Sequence, residues 1–214
     1  MTPLLQASPI ELLKRISSPI SIVEDFEAES MLLKILREEL STTLSSDVLS
    51  NLPVTTPPIG LISLYTGLKH CYPDVSSLLD LGCADAKVVK SGLLMEYNSA
   101  GVDTNMDLIL LAKQRIEPES NRVVHADYWD SSFLEMEING RKVKDHDAFY
   151  MYHHQEKIMQ NLHKLTPLMP TGKVIAIALL ESVPLNELTK LLDKENIPAV
   201  AEHRLGGIYF LKTV

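Results

Sequence analysis

From Ser76 to the C-terminus, short β-branched or apolar runs alternate with longer stretches of helical periodicity, and this alternation restricts the chain to very few architectures. The runs SSLLDLGC, SAGVD, RVVHA, DAFYMY, KVIAIAL, AVAEHRL and GIYFLKTV predict seven strands, and the spacing of apolar residues predicts helices over 87–97, 106–116, 155–165 and 185–195. Strands separated by helices must run parallel, with the helices covering both faces of one sheet. The last two strands are joined only by Gly206 and Gly207. That link is too short for a parallel crossover, so these two strands must pair antiparallel. The expected fold class is therefore α/β, with a mainly parallel seven-stranded sheet ending in a C-terminal antiparallel hairpin.

One stretch departs from the alternation. Residues 135–144, EMEINGRKVK, place Asn139-Gly140 between alternating residues, a strong short hairpin signal. A small hairpin is expected to replace the helix between the third and fourth strands, as a surface excursion more than as a functional flap.

The first 74 residues read differently. ISIVEDFEAESMLLKILREEL sets apolar side chains mostly three and four residues apart over 22–40, with acids early and bases late, which predicts an amphipathic helix. Pro57 and Pro58 close this region before another helix expected over 61–70. The division that follows is an N-terminal helical extension over 1–57 and a catalytic-type domain over 58–214. The apolar face of 22–40 needs a surface, either the body of the same chain, which is favoured, or a second copy, in which case the chain self-associates through these helices.

At 214 residues and 45% hydrophobic content, the chain suits one such domain with an extension. Its formal net charge of −8 repels phosphate backbones, and the first 74 residues hold nine acids against five Lys and Arg, so nucleic acid is disfavoured as a partner. Cys71 and Cys83 are too few for a disulfide framework and imply a reducing setting. No run of 18 apolar residues and no secretory start are present, which predicts a cytoplasmic protein without a membrane partner.

The first core strand ends in LLDLGCADAK. Small residues after a strand let backbone amides approach a ligand, and the start of the following helix favours an anion. A dinucleotide site with Gly-x-Gly-x-x-Gly fails here at two of its three glycines, the last falling at Lys87. The segment instead resembles the first motif of class I, Rossmann-like S-adenosylmethionine-dependent methyltransferases, an acid followed by Gly-x-Gly-x-Gly, represented by Asp80, Gly82, Ala84 and Ala86. Ala84 and Ala86 are departures, and Ala86 reaches a positive φ only at about 1 kcal/mol. The resemblance implies an acid at the end of the second strand for the ribose hydroxyls, supplied by Asp103, and an acid-aromatic pair after the third for the adenine, supplied by Asp127 and Tyr128. Asp103 and Asp127 would otherwise serve only to cap the segments that follow them.

Methyl transfer requires alignment of a nucleophile with the methyl group and loss of a proton from an amine or hydroxyl, so no catalytic triad is expected. The fourth strand leads into Tyr150, Tyr152, His153 and His154; Tyr152 and His153 are the expected residues at the substrate mouth, Tyr150 and the histidines being alternatively a strand residue and a helix start. The Asn- or Asp-Pro-Pro-aromatic sequence of adenine and glutamine methyltransferases is absent. His146, His153 and His154 lack partners at metal-ligand spacing, so no metal is expected. The resemblance, closest to small protein lysine methyltransferases, implies S-adenosylmethionine as cofactor and a protein or small-molecule amine as acceptor. The alternative is a non-catalytic pseudo-methyltransferase that acts as a binding or scaffold protein.

Overall fold

The computed structural model describes residues 58–214 other than Trp129, Ser131, Glu181 and Ser182. The helix expected over 22–40, its docking surface and the extension over 1–57 lie outside the described residues.

The described chain opens with helix α1, Pro58–Cys71. The proline ring fixes φ near the helical value and lacks an N–H that the first turn could not use, so Pro58 begins this helix as naturally as it would end a preceding one. There follow β1 (Ser77–Leu81), α2 (Lys87–Leu94), β2 (Asn98–Asp103), α3 (Met106–Arg115) and β3 (Val123–His125). The expected hairpin is present as β4 (Glu137–Ile138) and β5 (Arg141–Lys142), paired antiparallel in a sheet of their own. Asn139 and Gly140 both take positive φ, 48° and 78°, as its two-residue turn requires. The remaining elements are β6 (Ala148–His153), α4 (Gln155–Leu165), β7 (Val174–Leu179), α5 (Leu185–Lys194), β8 (Ala199–Leu205) and β9 (Ile208–Thr213).

Seven strands form one sheet in the order β3-β2-β1-β6-β7-β9-β8. β1, β2, β3, β6 and β7 are parallel, and β9 runs antiparallel to both β7 and β8. Strand order reverses between β1 and β6, the crevice where open α/β sheets bind ligands. Alternate residues feed two cores. Leu79, Leu81, Phe149, Met151 and Ile177 meet α4 and α5 on one face, and Leu78, Ala148, Tyr150 and Ala176 meet α1 on the other. Helix α2 stops earlier than its periodicity suggests. Glu96 turns left-handed at φ 65°, and the Tyr97 N–H returns to the Gly92 carbonyl, which frees the chain to enter β2.

At the opposite edge of the sheet, Asp147 ties β1 to β6. Its Oδ2 accepts hydrogen bonds from the amides of Ser76 and Ser77 at 3.1 and 3.0 Å and from their hydroxyls at 3.0 and 2.7 Å. Among the described residues no helix is long and apolar enough to cross a membrane.

Candidate active site

The turn after β1 carries the unusual geometry of this protein. Gly82, Ala84 and Ala86 all have positive φ, at 85°, 45° and 60°. The two alanines therefore keep the backbone that glycine would supply; each left-handed alanine costs about 1 kcal/mol. A β-carbon on Gly82 would meet nothing within 4 Å, so glycine is used there for its φ and not for space. Gly101 in β2 is the reverse case, where an added β-carbon would lie 2.6 Å from Cys83 Cβ. Its absence lets the turn settle onto β2, with the Gly82 and Cys83 amides each donating to the Val102 carbonyl at 2.9 Å.

Two further interactions hold the strained turn. The Ala84 N–H donates to Asp103 Oδ2 at 3.0 Å, while Asp103 Oδ1 accepts from the Asn105 N–H at 2.8 Å. The Asp85 carboxylate forms an ion pair with Arg115 at 3.1 Å, and both side chains are almost wholly buried. Asn105, not Asp103, caps α3, accepting from the amides of Asp107 and Leu108. Asp103 is thus released from the capping role and placed against the turn. At its amino end α2 has Ala86 as cap residue with no side-chain hydrogen bond.

Asp80 lies buried in β1 beneath this turn. Burial, with the like charges of Asp103 and Asp85 added to it, holds its carboxyl well above the ordinary carboxylate range. An acid in that state gives up its proton more readily when a cation comes beside it.

Beside the turn a cavity of about 480 Å³ opens over the tips of β1, β2 and β6. Gly82, Ala84, Asp103, Tyr128, Tyr152 and His153 all line it, so the structure brings together six of the residues singled out in the sequence. Asp127, which is exposed, and Asp80 and Ala86, which are buried, are not among the lining residues. Tyr150 is buried in the strand against α1, in agreement with the structural alternative for that residue. His146 sits just before β6 and His153 ends it, so the three histidines do not converge. Among the described residues no group of three or more His, Cys, Asp or Glu is arranged to hold a metal ion.

His153 is constrained in a way its sequence position does not reveal. Its Nδ1 accepts from the His154 N–H at 2.8 Å, and burial, then His154 and Lys157, lower the pKa of the ring. A neutral imidazole whose Nδ1 is an acceptor carries its proton on Nε2. His153 therefore presents a donor to its surroundings and not a free base.

Three participants were not anticipated. Arg115 pairs with Asp85 from the far end of α3, and Leu108 and Asn161 line the cavity from α3 and α4. Asn161 alone left a trace in the sequence, as an amide on the otherwise apolar stripe Ile158, Leu162, Leu165.

No protein-family model matches the sequence, and no curated protein matches it. Solved structures do. A candidate RNA methyltransferase from Pyrococcus horikoshii superposes with a TM-score of 0.56 at 13% identity, over 89% of this chain and 100% of that one. The plantazolicin methyltransferase, solved in complex with a substrate analogue and S-adenosylhomocysteine, gives 0.50 at 14% identity, over 87% and 98%. For the S-adenosylmethionine-bound amino pentose methyltransferase of calicheamicin biosynthesis from Micromonospora echinaspora the TM-score is 0.43 at 13% identity, covering 56% of this chain and 50% of that one, so this chain spans half its length. Identities this low speak to fold alone, and the fold is that of the class I, Rossmann-like S-adenosylmethionine-dependent methyltransferases.

Proposed function

We propose that the cleft beside the Gly82–Ala86 turn binds S-adenosylmethionine and that the protein transfers the cofactor's methyl group to an amine-bearing acceptor, either a protein side chain such as lysine or a small molecule. The observation that carries this reading is the turn itself. Two alanines are held in the left-handed conformation of the glycine motif, at an energetic cost, by Asp103 and by a buried Asp85–Arg115 pair. Strain that the surroundings overdetermine points toward function.

In this reading the residues divide as follows. Asp80 supplies the negative charge for the ammonium of the methionine moiety, and the uncapped start of α2 faces its carboxylate. Asp103, with an oxygen pinned on either side, keeps lone pairs for the two ribose hydroxyls. Tyr128 borders the adenine, and Asp127, exposed and outside the cavity lining, adds negative charge nearby. When bound, the cofactor supplies an electrophilic methyl on a sulfonium, whose carbon–sulfur bond breaks toward sulfur as the acceptor's nitrogen lone pair attacks. Tyr152 lines the cleft near the end of β6, and its ring would offer a π face to the sulfonium cation. His153 orients the acceptor through Nε2–H, and the proton lost by the methylated nitrogen passes to solvent.

A second reading is favoured by one observation: both oxygens of Asp103 already accept backbone amides. In a non-catalytic scaffold this would be their whole role. Titration of the protein with S-adenosylmethionine and S-adenosylhomocysteine, followed by transfer of labelled methyl to a lysate and to free amines, separates the two. Saturable binding and label transfer are expected; no binding at ~1 mM ligand, a free energy weaker than about −4 kcal/mol, contradicts the enzyme reading.

A further inference from the structure

The floor of the cavity holds a polar group that methyl transfer does not use. Asn161 lies on the buried face of α4 between Ile158 and Leu162 and is 4% exposed. Its amide acts on the Tyr128 phenol as a donor would, opposing the burial that raises that group's pKa, and its Oδ1 is buried with no hydrogen-bond partner among the described residues. Yet Asn161 lines the cavity together with Tyr128 and Ile158. A buried carbonyl oxygen without a donor is destabilising, and leucine would fill the same place in an apolar stripe without that cost. A ligand N–H entering the cavity would satisfy it.

The order of strand tips indicates which part of a ligand arrives there. Across the sheet the sequence is β3, β2, β1, β6. With the amino-acid end of the cofactor at the β1 turn and the ribose at Asp103 on β2, the base extends toward the segment after β3, where Tyr128 stands. Leu108 and Ile158 also line the cavity and offer apolar surface to a flat ring. An unpaired acceptor beside Tyr128 therefore meets the edge of that ring. A 6-aminopurine carries a donor on this edge, whereas a 6-oxopurine would set oxygen against oxygen.

We propose that Asn161 is a specificity-determining residue whose Oδ1 accepts a hydrogen bond from the exocyclic amine of the cofactor's adenine, with Tyr128 fixing the orientation of the amide. This rests on the S-adenosylmethionine reading above. The closing experiment compares S-adenosylhomocysteine with S-inosylhomocysteine, its 6-oxo counterpart, on the wild-type protein, Asn161→Leu, Asn161→Asp and Tyr128→Phe. The wild type should prefer the amino ligand by about 10-fold or more. Asn161→Leu should bring the two affinities together while its melting temperature holds or rises. Asn161→Asp, which keeps an acceptor, should retain the preference, and Tyr128→Phe should weaken it. Wild-type protein that binds S-adenosylhomocysteine without preference overturns this inference alone, and so does a preference that survives Asn161→Leu. Wild-type protein that binds neither ligand overturns the cofactor reading and this inference with it. The wild-type comparison stands whether or not a variant folds.

Discussion

Two aspartates on the same pair of central strands live in opposite circumstances. Asp147, just before β6, gathers four donors from Ser76 and Ser77 and an ion pair with Arg141 at 3.3 Å. Burial pulls its carboxyl upward, but the Ser77 hydroxyl, the Ser76 amide and hydroxyl and Arg141 outweigh it and hold the group below its ordinary value. Asp80, three residues along β1 from that seam, is buried with Asp103 and Asp85 as neighbours and is driven the other way. One end of the sheet satisfies its charge at home; the other leaves charge, strained backbone and an unpaired amide oxygen waiting. In open α/β sheets ligands bind beyond the carboxyl ends of the strands, which is the end that carries the strained turn here.

The largest effect that would break this contrast is expected at Arg115, the cation paired with buried Asp85 at the strained end. Arg115→Met leaves the Asp85 charge buried without its partner and should destabilise the protein by about 3–5 kcal/mol, read by urea denaturation. A loss below ~1 kcal/mol would mean that the turn holds itself and needs no anchor. Next in size is Asp103→Ala, which removes both the ribose acceptor and the clamp on the Ala84 amide. It should weaken S-adenosylhomocysteine binding by about 1.5–3 kcal/mol, and an unchanged dissociation constant would leave Asp103 a purely structural residue.

The quiet end should respond in stability alone. Asp147→Ala exposes four donors to solvent or leaves them unpaired and should cost about 1–2 kcal/mol, because the site is partly open to water, with cofactor affinity unaltered. A matching fall in affinity would show that the two ends are coupled. The smallest change is Ala86→Gly. It relieves a left-handed alanine and should stabilise the protein by at most about 1 kcal/mol and leave binding equal or tighter. Weaker binding would mean that the methyl group of Ala86, which is fully buried against α2 and α3, is needed to position the turn.

The sequence made the secondary structure legible for a simple reason: it is written in local periodicity. The seven strands, the four helices after the first strand and the Asn139-Gly140 hairpin follow from spacing two or three to four residues apart and from turn chemistry. Gly82, Asp103, Tyr128, Tyr152 and His153, expected at strand tips, do meet along one cavity, because topology fixes where strands end. What escaped were pairings across the fold. Asp85 meets Arg115 thirty residues away, and Asn161 on α4 lines the same cavity as Tyr128, and neither separation leaves a periodic mark. Asp127, one residue before Tyr128, is exposed and does not line the cavity, a distinction that sequence position alone does not make. The tautomer of His153 depends on a single amide, that of the next residue, and no composition encodes it.

Asp80 offers the most direct test of the account. Its pKa in the folded protein is raised from an ordinary value of 3.8, so as pH climbs above that value the unfolded chain ionises first, and stability falls until the folded carboxyl ionises in turn. Asp80→Asn should therefore raise the melting temperature of the ligand-free protein at neutral pH. An ammonium placed beside Asp80 should reverse the shift and expel its proton. Calorimetric titration of S-adenosylhomocysteine into the wild-type protein, in two buffers of different ionisation enthalpy, should accordingly give saturable one-to-one binding with net proton release, and Asp80→Asn should lose both. Saturable binding that is indifferent to Asp80, or no binding at all, would contradict the claim that this buried acid waits for the cofactor's ammonium.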